Sequence, residues 1–187
     1  MQLKWTNGLA IAALAATTAL AAAQNPDNKG TYLGFELGAY FPSDKTIRNV
    51  FGSTLPRVGI NFINNNQPDK MKLSFDFAVI GATKNGNRFL AIPVTAGLGQ
   101  QYGSPGSGAR PYWRVGAGLS YFSYSIDPTN SGTFISANQV GFTAVAEAGL
   151  LLSDRIRLSA SYNYFSKQDE FDFSGVNISL SFLFWKI

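Results

Sequence analysis

The stretch VNISLSFLFW, residues 176–185, sets Val176, Ile178, Leu180, Phe182 and Phe184 on one side of an extended chain and Asn177, Ser179 and Ser181 on the other. Strict alternation of this kind predicts a β-strand with one apolar face. Whether that face meets a protein core or a lipid bilayer has to be decided by the rest of the chain.

Eight segments of this kind follow the polar lead QNPDNK, residues 24–29, each bounded by Gly, Pro, Asn, Asp or Ser. They run over residues 30–41, 54–63, 71–82, 88–101, 111–124, 138–152, 155–166 and 173–185. Each is long enough for a tilted strand to cross a bilayer, which takes about 9–11 residues. No helical periodicity of useful length interrupts them. Because neighbouring side chains on a strand point oppositely, each segment divides into two faces. One set is apolar throughout, as in Leu33, Phe35 and Leu37, or Trp113, Val115, Ala117 and Leu119. The other is rich in Gly, Ser, Thr and Asn, and it holds the charges of the strands: Glu36, Arg57, Lys72, Asp76, Arg114, Glu147, Arg155 and Arg157.

A soluble barrel or sandwich would turn the apolar set inward and give its outer face many Lys and Glu residues for solubility. Here the polar set is small, mostly uncharged and mixed in sign. Charged residues make up 14% of the chain, against about 25% in ordinary soluble domains. Aromatics also reach 14%. The opposite arrangement fits better, with apolar residues in lipid and small polar residues in a narrow lumen. The fold expected is all-β: a single eight-stranded antiparallel up-and-down transmembrane β-barrel over residues 24–187, preceded by a cleaved signal peptide over residues 1–23. The leader reads as a signal because Lys4 precedes an apolar run that ends in Ala21-Ala22-Ala23, a small-residue cleavage site. The run is also shorter than the roughly 20 residues of a membrane anchor.

An even strand count puts both ends of the barrel chain in the periplasm. The outer connections are then residues 42–53, the turn around Asn85-Gly86, residues 125–137 and residues 167–172. Asn85-Gly86 is the preferred pair for a two-residue hairpin turn that needs positive φ at both positions.

Eight strands enclose a space that their own side chains fill. Charges placed there have to pair, because an isolated buried charge is heavily penalised. Glu36, Asp76 and Glu147 against Arg57, Lys72, Arg114 and Arg157 are therefore the candidate lumen network, read either as a salt-bridged plug or as a charge-lined path. Tyr112, Trp113, Tyr162, Tyr164, Phe184 and Trp185 are the candidate aromatics of the membrane interfaces. Lys45, Arg48, Lys84 and Arg88 fall at the outer rim, within reach of lipid phosphates. Asp169, Glu170 and Asp172 read as a solvated acidic tip, since no calcium-loop pattern accompanies them.

The sequence contains no histidine and no cysteine. That removes the commonest general base and metal ligand, together with disulfides. The net charge of +4 is spread along the chain without a basic run, so nucleic acid is not an expected partner. No cofactor and no metal site are expected.

RPYWRVGAGLSYFSY (110–124), AEAGLLLSDRIRLSASYNYF (146–165) and the terminal VNISLSFLFW together resemble the small eight-stranded outer-membrane proteins of the OmpA/OmpW-like β-barrel superfamily. The resemblance implies an integral barrel of the bacterial outer membrane, folded there by the barrel-assembly machinery. It implies contact with outer-membrane lipids, including lipopolysaccharide, and a monomeric state. It further implies either an envelope structural role or passage of small hydrophobic solutes, with surface adhesion as the alternative. Enzymes on similar barrels rely on histidine, so no enzymatic activity is expected.

Overall fold

The computed structural model describes residues 31–64, 69–104, 108–153 and 155–186, except for the side chains of residues 31, 63, 64 and 184–186. The expected signal peptide, residues 1–23, lies outside the described residues. Eight strands follow in order: β1 (Thr31–Pro42), β2 (Leu55–Asn64), β3 (Lys72–Lys84), β4 (Asn87–Gln101), β5 (Arg110–Ile126), β6 (Ile135–Leu151), β7 (Ile156–Phe165) and β8 (Gly175–Lys186). Each pairs antiparallel with the next, and β8 returns to β1 to close the barrel. Closure leaves no edge within the wall, which in lipid would expose unpaired backbone groups.

The outward face is the apolar set. Leu37, Leu73, Val115, Leu119, Phe142 and Ile178 are among the large hydrophobic side chains left exposed. A belt of this size would be an aggregation hazard in water and is the expected surface in lipid.

The β3–β4 hairpin turns at Asn85 and Gly86, with φ of 50° and 79°. Lys84 faces Asn87, and Asp76 faces Thr95, as the two-residue turn requires. Pro93 sits in the middle of β4, where it has no N–H to donate. The ladder to β3 accordingly lapses between Phe77–Val94 and Ile80–Ala91, while pairing with β5 runs on without a break.

Two outer connections differ from the sequence expectation. Residues 42–53 are not a plain loop, because they hold a helix, α1 (Lys45–Phe51). Asp44 caps it by accepting from the N–H groups of Thr46 (2.6 Å) and Ile47 (3.2 Å). Ile47 and Phe51, four residues apart, share one face and are buried. A seven-residue helix with so few apolar positions is too short to show as periodicity. The β5–β6 connection is also shorter than 125–137, since those strands run on to Ile126 and from Ile135. Asp127 closes it: its carboxylate accepts from the N–H groups of Thr129 (3.2 Å), Ser131 (3.1 Å) and Gly132 (2.7 Å).

Candidate functional site in the barrel lumen

With the outward parity fixed by lipid, the inward parity of each strand is fixed as well. It places Glu36 on β1, Arg57 on β2, Asp76 on β3, Arg114 on β5, Glu147 on β6 and Arg157 on β7, all buried. These six side chains form a closed ring of alternating sign. Glu36 pairs with Arg57. Arg57 reaches Asp76 at 3.1 Å, Asp76 reaches Arg114 at 3.3 Å, and Arg114 reaches Glu147 at 2.9 Å. Arg157 then joins Glu147 (3.4 Å) back to Glu36 (3.8 Å). Three carboxylates against three guanidiniums leave the ring neutral, the condition under which buried charge is tolerated.

Two strands contribute no charge. β4 offers Thr95 and Gly97, and β8 offers Ser179 and Ser181, so the long side chains of their neighbours pass over them. Gly97 is needed for a further reason: a Cβ there would lie 2.1 Å from the Val115 carbonyl oxygen, inside the backbone of β5. Polar neighbours complete the ring. Asn61 donates to Glu36 (3.1 Å), and the Tyr112 hydroxyl donates to Glu147 (2.5 Å). The Arg157 guanidinium also stands over the Tyr112 ring, 5.0 Å from its centre.

Tyr112 is thus a correction. It was expected at the membrane interface, but it is buried in the lumen. The reason is alternation: Trp113 points outward, so Tyr112, one residue earlier, points inward, in line with Arg114. Trp113 is half-buried on the outer face and donates its indole N–H to the Tyr102 hydroxyl (3.1 Å) near the periplasmic end of β5. Tyr162 and Tyr164 are exposed on the outer face of β7, toward its other end. The side chains of Phe184 and Trp185 lie outside the described residues. Lys72 is half-buried on the inward side, separated from Arg114 by Gly99 in the ladder, and the ring closes through other residues. A cavity of about 40 Å³ beside Arg114 and Arg157 is lined also by Lys72, Ser74 and Tyr112 and by Phe62, Leu73 and Trp113 of the outward parity, among others.

Sequence reading missed what lies above the ring. There the inward positions are aromatic and aliphatic: Tyr40, Leu55, Ile80, Phe89, Phe122, Tyr124 and Phe165 pack with Ile47 and Phe51 of α1 and with Phe171 and Phe173 of the β7–β8 connection. Phe173 is central, stacked on Phe89 (centroids 4.4 Å apart, planes 8° apart) and in contact with Phe122 and Tyr124. The Tyr40 hydroxyl donates to the Phe173 carbonyl. The inward parity of β5 carried the signal, because Arg114, Gly116, Gly118, Ser120, Phe122, Tyr124 and Ile126 pass from charged to small to aromatic along one strand.

The outer membrane protein β-barrel domain model matches residues 9–184. No curated protein matches this chain. Among solved structures, it is similar to the N-terminal barrel domain of OprF from Pseudomonas aeruginosa, with 13% identity and a TM-score of 0.57, over 83% of this chain and 98% of that one. The attachment invasion locus protein Ail of Yersinia pestis aligns at 15% identity and a TM-score of 0.52, over 82% and 96% of the two chains. The outer membrane enzyme PagL aligns at 10% identity and a TM-score of 0.58, over 81% and 99%. At these identities the structural likeness carries the fold alone, whereas the family model spans nearly the whole sequence. The chain therefore belongs to the outer membrane protein β-barrel domain family and is an integral protein of the outer membrane.

Proposed function

We propose that this protein is a sealed, non-enzymatic barrel with a structural role in the envelope. The closed six-charge ring carries this reading, since each of its charged groups is already engaged by partners inside the barrel. The aromatic cluster above it is a second obstruction in series, which argues against passage of solutes through the lumen. Although PagL shows that this fold can host an enzyme, the present chain lacks the histidine that would activate a hydroxyl or water nucleophile. In this reading residues 1–23 direct export, the barrel-assembly machinery inserts the chain, and it works as a monomer. Lys45, Lys84 and Arg88, all exposed toward the outer end, are suited to the phosphates of lipopolysaccharide.

Conductance of the refolded barrel in a planar bilayer tests the seal. The wild-type protein and the single variants Glu147→Ala and Phe173→Ala are expected to stay silent, and the double variant to conduct. Discrete openings in the wild type would overturn the reading in favour of a narrow path.

A second reading, interaction at the cell surface, is favoured by one observation. The β5–β6 hairpin continues well beyond the outer end of β7.

A further inference from the structure

The two sides of the β5–β6 hairpin are covered unequally. On the β5 side, β4 pairs as far out as Arg88 opposite Ser125. On the β6 side, pairing with β7 stops at Thr143 opposite Phe165. Residues 135–142 therefore run past β7 with β5 as their only ladder partner among the described residues.

The direction of the free groups follows from the last contact. Phe142 donates its N–H to the Ser166 hydroxyl (3.0 Å) and accepts at its carbonyl from the Ser166 N–H (2.9 Å), so both groups face the β7 side. In an antiparallel ladder alternate residues turn their N–H and C=O to the same neighbour. Ser136, Asn138 and Val140 accordingly direct their backbone groups to the open side, and all three are exposed. The stretch ISANQVGF (135–142) carries no charge and no proline. Those are the usual guards of an open edge.

A second feature flanks this edge. Asp169 and Glu170 form the tip of a tight turn in which Gln168 and Phe171 exchange both backbone hydrogen bonds. The Asp169 carboxylate is fixed against the hairpin by the Tyr124 hydroxyl (2.5 Å) and by Gln139 Nε2 (3.2 Å). With Asp172 nearby and Lys167 the one cation between Ser166 and Ser174, the flank is acidic.

We propose that the β6 edge takes up, by strand addition, an extended segment of an extracellular protein that carries Lys or Arg toward the β7–β8 turn. Main-chain pairing at Ser136, Asn138 and Val140 supplies the binding, and the acidic turn selects charge. The inference rests on the surface-interaction reading and is independent of the sealed lumen.

The test uses the whole refolded barrel in lipid nanodiscs, with an alternating Thr–Lys octapeptide as the probe and its Thr–Glu counterpart as control. Amide exchange at Ser136, Asn138 and Val140 is expected to be fast in the free protein and to slow at least tenfold with the lysine peptide alone. Asn138→Pro removes one edge donor and leaves the β5 ladder intact, so it is expected to weaken binding about tenfold or more. Asp169→Asn with Glu170→Gln should weaken it severalfold. Amides already protected without peptide would overturn the proposal, as would protection that rises with protein concentration alone, which would make the occupant a second copy. Binding unchanged by Asn138→Pro would place recognition on the loop faces, ending the edge proposal while leaving surface interaction standing. Failure of both peptides to slow exchange at these amides would overturn it as well.

Discussion

Strand β5 passes through two kinds of interior. Near its periplasmic end its inward residues are Tyr112 and Arg114, engaged with Glu147, and near its outer end they are Phe122, Tyr124 and Ile126, packed on Phe165, Phe171 and Phe173. Both halves fill the lumen, but they depend on their parts differently. Each member of the ring is charged and serves two partners, so removing one leaves buried charge behind. A ring of Phe side chains loses contact area and leaves a hole, with no neighbour made worse than unpaired. The polar half is therefore all-or-none, and the aromatic half degrades by degrees.

The largest expected effect comes from breaking the ring at one point. Asp76→Ala leaves Arg57 and Arg114 without a shared acceptor, and breaking a buried pair in this way costs about 3–5 kcal/mol. Urea unfolding of the barrel in lipid vesicles measures it. Replacing Arg114 and Glu147 together, with Met and Leu, should cost much less than either single change to Ala, since apolar replacements of similar volume are often neutral. If the double replacement is as damaging as the sum of the single ones, the ring does not act as a unit.

The corresponding change in the aromatic half is Phe173→Ala. It removes a ring that is 1% exposed and stacked on Phe89, and the expected loss is about 3 kcal/mol, toward the lower end for such truncations because the loop can settle inward. Combined with Asp76→Ala, the two losses should add, as they do for distant sites with no shared partner. Marked non-additivity would join the two halves into one cooperative core.

The helix α1 gives a smaller effect. Asp44→Ala removes the carboxylate that caps Thr46 and Ile47, worth about 1 kcal/mol. Tryptic cleavage after Lys45 and Arg48 is the readout, and its rate should rise about fivefold, in proportion to the population of opened helix. Ile47 and Phe51 hold the closed form, so Ile47→Ala should raise the rate further.

How much of this could be read from the chain depended on period. Strands announce themselves by alternation, and lipid enforces it strictly, so eight segments, their faces and the Asn85-Gly86 turn were legible. The six ring members were legible too, because charge on an inward face has to pair, but the same rule also named Lys72, which stands two ladder steps from Arg114 and outside the ring. The aromatic half was not, for a reason specific to membrane barrels: with apolar residues expected outside, an inward Phe89 or Phe122 carries no sign of its own and can be found only by parity. Tyr112 went wrong in the same way, since an aromatic beside Trp113 looks like part of an interface girdle until its position on the strand is counted. Phe171 and Phe173 were hidden for a different reason. They lie in or next to a connection, and nothing in DEFDFS tells which side chains fold back into the barrel mouth.

The smallest effect expected is at Asp127, outside the barrel wall, and it sharpens the contrast because this charge is held by backbone N–H groups, with no ion pair to it among the described residues. Partial burial would raise its pKa, but the N–H groups of Gly132, Ser131 and Thr129, with the Thr129 hydroxyl, outweigh that and hold the carboxyl below its ordinary value. A carboxyl lowered in the folded state favours folding above its unfolded pKa, about 3.9 for Asp. That contribution fades as the pH falls through the folded value. The order of the β5–β6 turn should therefore be constant from neutral pH down to about pH 4 and decline below it. Amide exchange at Ser131 and Gly132, corrected for the intrinsic pH dependence of exchange, measures this, and Asp127→Asn should abolish the dependence. A turn that loosens instead between pH 5 and 7 would mean that the Asp127 carboxyl is not held below its ordinary value.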